Sequence, residues 1–401
     1  MASMKTPIPQ SLIVVLIVCF GSLQNAHAVN PPPDGGYPGG NTAEGQDALL
    51  GVTTGTYNTA VGIYSLRSLT TASFNTALGA GALLFNISEQ NTATGAGALL
   101  SNTTGARNTA NGVDALFFNT TGHDNTANGT SALEGNTTGF FNTATGAHAL
   151  SSNTSGFDNT ANSFGVLNNN TTGHDNTASG FNALGLNTTG SNNTANGALA
   201  LINNSTGSNN TAMGLSAGMN ATTGSNNVYI GAGMAGVADE SNACYIASIF
   251  GQTSADGVPV LINSNNKVGT ATSSKRFKED IKPMDKASEA LFSLKPVSFH
   301  YRKEIDPAGT SQLGLVAEEV EKVNPNLIVR DKEGRPYSVR YDQVNAMLLN
   351  EFLKEHRKVE ELEANAARQQ KQIDALSAAL QKVSAQLEVS KAAPQTVLNG
   401  Q

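Results

Sequence analysis

Two apolar rhythms divide this chain. From Asn41 to Asn227 a short motif, Asn-Thr-Ala-x-Gly, returns with its Asn at 41, 58, 75, 91, 108, 125, 142, 159, 176, 193 and 210. Ser163 replaces the Gly once, and a degenerate copy begins at Asn227. The period is 17 residues, with one residue deleted between Asn75 and Asn91. Side chains alternate along a strand, so Asn, Ala and Gly share one face while Thr and x share the other. An Ala-Leu pair follows in most copies, as in Ala82-Leu83, Ala132-Leu133 and Ala149-Leu150. Next comes Asn-Thr-Thr-Gly, where Gly permits positive φ and Asn and Thr bond their own backbone. A fixed period of this size predicts stacked coils. Stacking would align the repeated Asn side chains into hydrogen-bonded ladders. About twelve coils at roughly 4.8 Å each give a length near 60 Å.

The second rhythm is a heptad. Phe352, Val359, Ala366, Ile373, Leu380 and Leu387 fall at one core position. Leu348, Leu362, Leu376 and Val383 fall at the other, with Glu355 and Gln369 as polar exceptions. This predicts a coiled-coil helix over 342–388. A free-standing charged helix is the alternative. Between the rhythms, residues 232–272 hold two strand-like runs, 243–250 and 258–263, and read as a β-rich neck. Residues 273–341 alternate short helices (286–294, 317–323) with strands (297–301, 312–316) and a hairpin around Asp331 to Gly334. The fold class is mainly β-solenoid, a parallel β-roll or β-helix, followed by a small α+β domain and a coiled coil. Residues 389–401 read as a disordered tail.

Composition sharpens the division. The net charge of -7 argues against nucleic-acid binding. From Asn41 to Asn227 the only cations are Arg67 and Arg107, whereas residues from Ser273 onward hold 20 of the 24 Lys+Arg. Residues 1–28 read as a secretory signal: Lys5, an apolar run from Ser11 to Leu23, and Ala26-His27-Ala28 as the cleavage motif. Residues 29–40 are a Pro/Gly-rich linker. The expectation is a secreted or cell-surface product, bacterial in source, with no membrane span once the signal is removed. One cysteine then remains, Cys244, so no intrachain disulfide is possible. A buried, inert thiol is expected there, with an interchain bridge as the alternative.

One small and one large apolar residue per coil bury little area. At about 25 cal/mol per Å², this is marginal against chain entropy. Association of copies with the Leu line on a three-fold axis would supply the rest, so a homotrimer is expected. A monomeric solenoid and a disordered tract are the other readings. The pairs His123-Asp124 and His174-Asp175 occupy equivalent positions and read as exposed turn pairs rather than a metal site. No cofactor or metal is expected. The chain has no Trp, no aromatic patch and no basic groove to indicate a ligand, so any glycan or protein receptor is undefined. The Asn-Thr-Thr segments match the N-glycosylation sequon.

Candidate chemistry sits at the border between the two compositions. Ser273-Ser274-Lys275-Arg276-Phe277-Lys278 places a hydroxyl nucleophile five residues before a lysine. A serine needs a base, and a lysine serves only when neutral. Burial or the adjacent cations Lys275 and Arg276 push a lysine toward that form. The expected step is self-cleavage between Thr272 and Ser273, with Ser273 as nucleophile and Lys278 as base. A plain polar residue opening a basic turn is the bland alternative.

The repeats resemble the head repeats of trimeric autotransporter adhesins, whose usual repeat is shorter. The likeness implies a trimeric β-roll but no particular receptor, and no β-barrel anchor like theirs is expected. Residues 273–388 are similar to the endosialidase-type intramolecular chaperone of phage tail spikes and fibres, a self-cleaving serine peptidase family. The stretches that carry the likeness are SSKRFKEDI, ALFSLKPVSFHYR, QLGLVAEEV, DKEGRPYSVRY and the terminal heptads. The resemblance implies that this module drives trimerisation of the β-rich stalk and then cuts itself free before the serine. The family motif, roughly Ser-Asp-x-Arg-x-Lys, falls on Ser273, Arg276 and Lys278. Ser274 stands where that motif has Asp, and is a rival nucleophile. A non-cleaving surface adhesin with a permanent coiled-coil stalk is the competing function.

Overall fold

The computed structural model describes residues 37–391 apart from 253, 254 and 256. The expected signal, 1–28, lies outside the described residues, as does 392–401. The chain divides into two compact units, Met1–Thr253 and Ser254–Gln401.

The first unit is a parallel β-solenoid. Thirteen three-residue strands form one sheet in sequence order, from Thr42–Glu44 (β1) to Cys244–Ile246 (β13). Each pairs in register with the next coil, and up to β11 Thr falls on Thr and Ala on Ala, as in Thr126↔Thr143 and Ala127↔Ala144. The strand Ala is buried in each repeat and the flanking Thr and x face outward. The Asn ladders form. The Asn142 amide N–H donates to Asn125 Oδ1 at 3.0 Å, and Asn142 Nδ2 reaches the same oxygen at 3.1 Å and Gly156 O at 2.8 Å. A second ladder runs through the turn Asn residues, with Asn136 Nδ2 donating to Asn119 Oδ1 at 2.8 Å. These turn residues are the sequon asparagines, and they are fully buried. Their amides hold the coil closed and are not available for a glycan.

Three expectations fail here. The leucines do not line an axis between chains, since Leu83, Leu99, Leu116, Leu133 and Leu150 are fully buried inside one chain. Each adopts a left-handed backbone, as at Leu133 with φ 52. That conformation costs a non-glycine residue roughly 1–2 kcal/mol. Burying a leucine gains about 1.5–3 kcal/mol, so burial prevails. The Ala, Leu and Asn columns therefore fill the coil without a second copy. Cys244, expected to be buried, is exposed. It occupies the outward Thr position of β13, while the next residue, Tyr245, stacks on Tyr229 at 5.7 Å. Finally, aromatics that are far apart in sequence meet in the stack. His123, Phe140, Phe157 and His174 form a column with ring spacings of 5.2, 5.0 and 4.6 Å. Their faces lie against one another, which leaves edges to solvent.

The solenoid also runs past the last Asn repeat. Strand β12 (Val228–Ile230) pairs with β13 in parallel. There Tyr229 takes the inward position of the strand Ala, and Gly218 replaces the Leu of the preceding coil. A Cβ on Gly218 would come within 2.7 Å of the Tyr229 ring. The large residue is thus accommodated by a missing one.

The second unit holds three antiparallel hairpins, two helices and short 3-10 turns. Val260–Ile262 (β14) pairs with Val268–Thr270 (β15). Val297–His300 (β16) pairs with Ser311–Gly314 (β17), and Ile328–Arg330 (β18) with Pro336–Val339 (β19). Ala317–Val323 is helical (α1), and Tyr341–Lys391 is one long helix (α2). The segment expected as a helix near 286–294 is a 3-10 helix, Asp285–Ser293. Val320, Leu327, Ile328, Val339 and Met347 form the small core. A buried polar cluster ties the 3-10 helix to α2. Ser288 Oγ donates to the Glu351 carboxylate, and Asn350 Nδ2 donates to Ser288 Oγ at 2.7 Å. Lys354 Nζ closes the cluster on Glu351 at 2.6 Å. Beyond it the heptad residues Val359, Leu362, Ile373, Leu376, Leu380 and Leu387 are all exposed.

Candidate self-processing site

Two residues beyond β15 the chain is extended, and it then makes a single 3-10 turn, Lys275–Phe277. The Phe277 amide bonds to Ser274 O at 3.0 Å and the Lys278 amide to Lys275 O at 3.1 Å. One turn of this kind carries residue 278 back toward residue 273. Lys278 Nζ donates to Ser273 Oγ at 3.0 Å. That is hydrogen-bond reach for a nucleophile and its base.

The surroundings are open. Thr272 to Ile281 are exposed throughout. Ser273, Lys275, Lys278, Asp280 and Ile281 line a hollow of about 630 Å³. Arg276 lies over the Phe277 ring at 4.7 Å. Ser274 caps the 3-10 turn through its backbone, and among the described residues no side-chain hydrogen bond joins it to Lys278. Of the candidates read from the sequence, Ser273 and Lys278 are thus brought together, and Thr272 is the exposed residue on the other side of the expected bond. Among the described residues, no side-chain hydrogen bond joins Arg276 or Ser274 to the pair. Among the described residues there is no cluster of His, Cys, Asp and Glu able to hold a metal ion. His123 and His174 each bond the adjacent aspartate through Nδ1, at 2.8 and 2.7 Å.

The fold and this site define a repetitive β-solenoid followed by a small unit that carries a Ser–Lys pair just after β15. Residues 273–329 match the family described as chaperone of endosialidase. The match supports an endosialidase-type chaperone in the C-terminal part, and it begins on Ser273 itself. The family is associated with autocatalytic cleavage. No curated protein and no solved structure matches the chain. Among the described residues no helix is long and apolar enough to cross a membrane.

Proposed function

We propose that this is a secreted, trimeric fibre protein whose C-terminal chaperone drives assembly and then cuts the chain between Thr272 and Ser273. The reading rests on one observation, the 3.0 Å contact of Lys278 Nζ with Ser273 Oγ inside the matched segment. Neutral Lys278 takes the Ser273 hydroxyl proton, and Oγ attacks the Thr272 carbonyl carbon. The C–N bond breaks as Lys278 returns the proton to the Ser273 nitrogen. An ester then links Thr272 to Ser273 Oγ. Water hydrolyses it, leaving a carboxylate on Thr272 and a free amine on Ser273. No metal or cofactor enters the step.

The exposure of Lys278 in a single chain gives the reaction its timing. A solvated ammonium does not accept a proton. Covering it with a second copy disfavours the charged form. Cleavage then follows assembly, driven by the exposed heptad seam of α2. The solenoid profits because parallel β pairing is slow to nucleate and a pre-formed trimer fixes its register. The mature fibre is residues 29–272.

The competing reading is an adhesin that keeps its coiled coil, and the Ser274 departure from the family motif favours it. A denaturing gel with intact-mass analysis separates the two. The wild-type chain should yield fragments 29–272 and 273–401, the second with an N-terminal Ser-Ser-Lys-Arg-Phe. Ser273→Ala should stay whole. A wild-type chain that assembles and stays uncut would falsify self-processing.

A further inference from the structure

The buried leucines leave open which face of the solenoid meets another copy. The residue after each coil glycine, or after Ser163 in its place, is exposed or half-buried, and from Ile63 to Ala232 these residues stack into one row. Its large members are Ile63, Val113, Phe164, Phe181 and Leu215. Thr130 is its one polar member, and the rest are alanine. Phe164 and Phe181 stack at 5.8 Å within it. Across the glycine corner, Leu78 and Met213 add exposed apolar surface. Other exposed rows do not stay apolar. The row before the strand Asn starts with Tyr57 and Phe74 but continues through Arg107, Asp124 and Asp158.

We propose that this apolar ridge is the surface through which solenoids of separate copies of this chain pack side by side. The proposal rests on the trimer reading above and adds the face. Charge selects the occupant. The row carries no charge between Ile63 and Ala232, whereas the rest of the solenoid is acidic, with eight Asp+Glu against Arg67 and Arg107 from Asn41 to Gly231. Identical copies repel one another on the acidic faces and meet without repulsion here. Size fixes how the contact forms. Ten steps of roughly 4.8 Å make a strip near 50 Å long, on the order of 500 Å² if about 10 Å wide. A standard interface buries about 800 Å² per partner, so the strip is short of what free copies need. The α2 seam removes that deficit, because linked modules meet at an effective concentration in the millimolar range.

Short-range chemical cross-linking tests the face in the full chain, with Ser273→Ala to hold it uncut and Cys19→Ser/Cys244→Ser to remove both native thiols. Three single cysteines are compared under a short bismaleimide: Val113→Cys on the ridge, Thr138→Cys on an exposed turn, and Ile373→Cys in the α2 seam. The expected result is inter-copy dimers from Val113→Cys and Ile373→Cys, at least tenfold above Thr138→Cys. Cross-links from Ile373→Cys with none from Val113→Cys, or equal yields at Val113→Cys and Thr138→Cys, overturn the ridge while assembly stands. Failure at both Ile373→Cys and Val113→Cys overturns the ridge and the assembly reading together.

Discussion

At the scale of single residues, three places in the chain carry separable expectations. Tyr229 is fully buried and its hydroxyl has no hydrogen-bond partner. An unsatisfied buried hydroxyl costs about 1–3 kcal/mol. Tyr229→Phe should therefore raise solenoid stability by about 1 kcal/mol, read as a higher denaturation midpoint. At the processing site, Ser273→Ala should abolish cutting and Ser274→Ala should leave most of it. Removing a positioned base costs about 10²–10⁴-fold, so Lys278→Gln should slow cutting by that factor. The reverse pattern in the two serine variants would move the nucleophile to Ser274. The third place sets an acid limit. Arg107 bonds Asp124 at 2.7 Å and, against desolvation, holds its carboxyl down at about 2, with a smaller contribution from His123. An unfolded aspartate titrates at about 3.9. The depressed value means that this ion pair stabilises the fold fully above about pH 4 and not at all once pH falls through about 2. In melting curves across that window, Arg107→Gln should flatten the acid limb. Both groups are partly exposed, so the change should be small.

At the scale of the coil, packing tolerances decide. The coil glycines have φ near that of Gly129, 136°, and a Cβ there would come within 2.6 Å of the Gly146 backbone. Ser163 holds the same conformation at φ 132 without the freedom of glycine. Such strain costs of order 1–3 kcal/mol, so Ser163→Gly should stabilise the solenoid in chemical denaturation. The ladders behave oppositely. Asn125→Ala strips the Asn142 amide of its acceptor in a buried site and should cost about 2 kcal/mol. Asn162→Ala, on the exposed side of its strand, should cost almost nothing. Much of this element was legible beforehand. The Asn-Thr-Ala triplet fixed strand, register and ladder, because a two-residue alternation leaves no other face for Asn and Ala. Helix α1 also runs over the expected residues, 317–323, bounded by Asn324-Pro325. The direction of the leucines was not legible. It depends on left-handed backbone at a bulky residue, which side-chain propensity disfavours and only burial in the finished coil stabilises. Cys244 was misplaced for a related reason. Its side is set by Tyr245 stacking on the strand before it, a contact between coils.

At the scale of the whole molecule, the two rhythms perform different tasks. The solenoid closes its core in one chain, whereas α2 leaves its heptad residues in solvent. Seam substitutions should therefore affect processing and leave coil stability alone. In Ile373→Asp/Leu380→Asp, with the Ser–Lys pair intact, we expect the chain to remain uncut on a denaturing gel and monomeric by light scattering. A cut monomer would show that burial by a second copy does not gate the lysine. The site itself was half legible. The spacing of Ser273 and Lys278 was plain, but the single 3-10 turn that folds one onto the other has no sequence signal beyond that spacing. Its exposure was not legible at all, since it depends on what covers the segment. The aromatic column was likewise hidden, because its members recur at coil spacing and not as a local cluster.

Every strand in the solenoid sheet bonds only to the coils before and after it. The coil lacking one residue, Asn75 to Gln90, enters the same ladder, with Asn86 bridging to Asn75 and Asn102. Reach along the stack is therefore a counted quantity. Excising residues 125–141 would set Asn142 on Asn108 with each bonding pattern preserved, shortening the solenoid by one increment of roughly 4.8 Å. Duplication would lengthen it by the same amount. Unequal recombination between near-identical repeats thus becomes a means of adjusting the span in fixed steps, with both ends unchanged and no new packing to evolve.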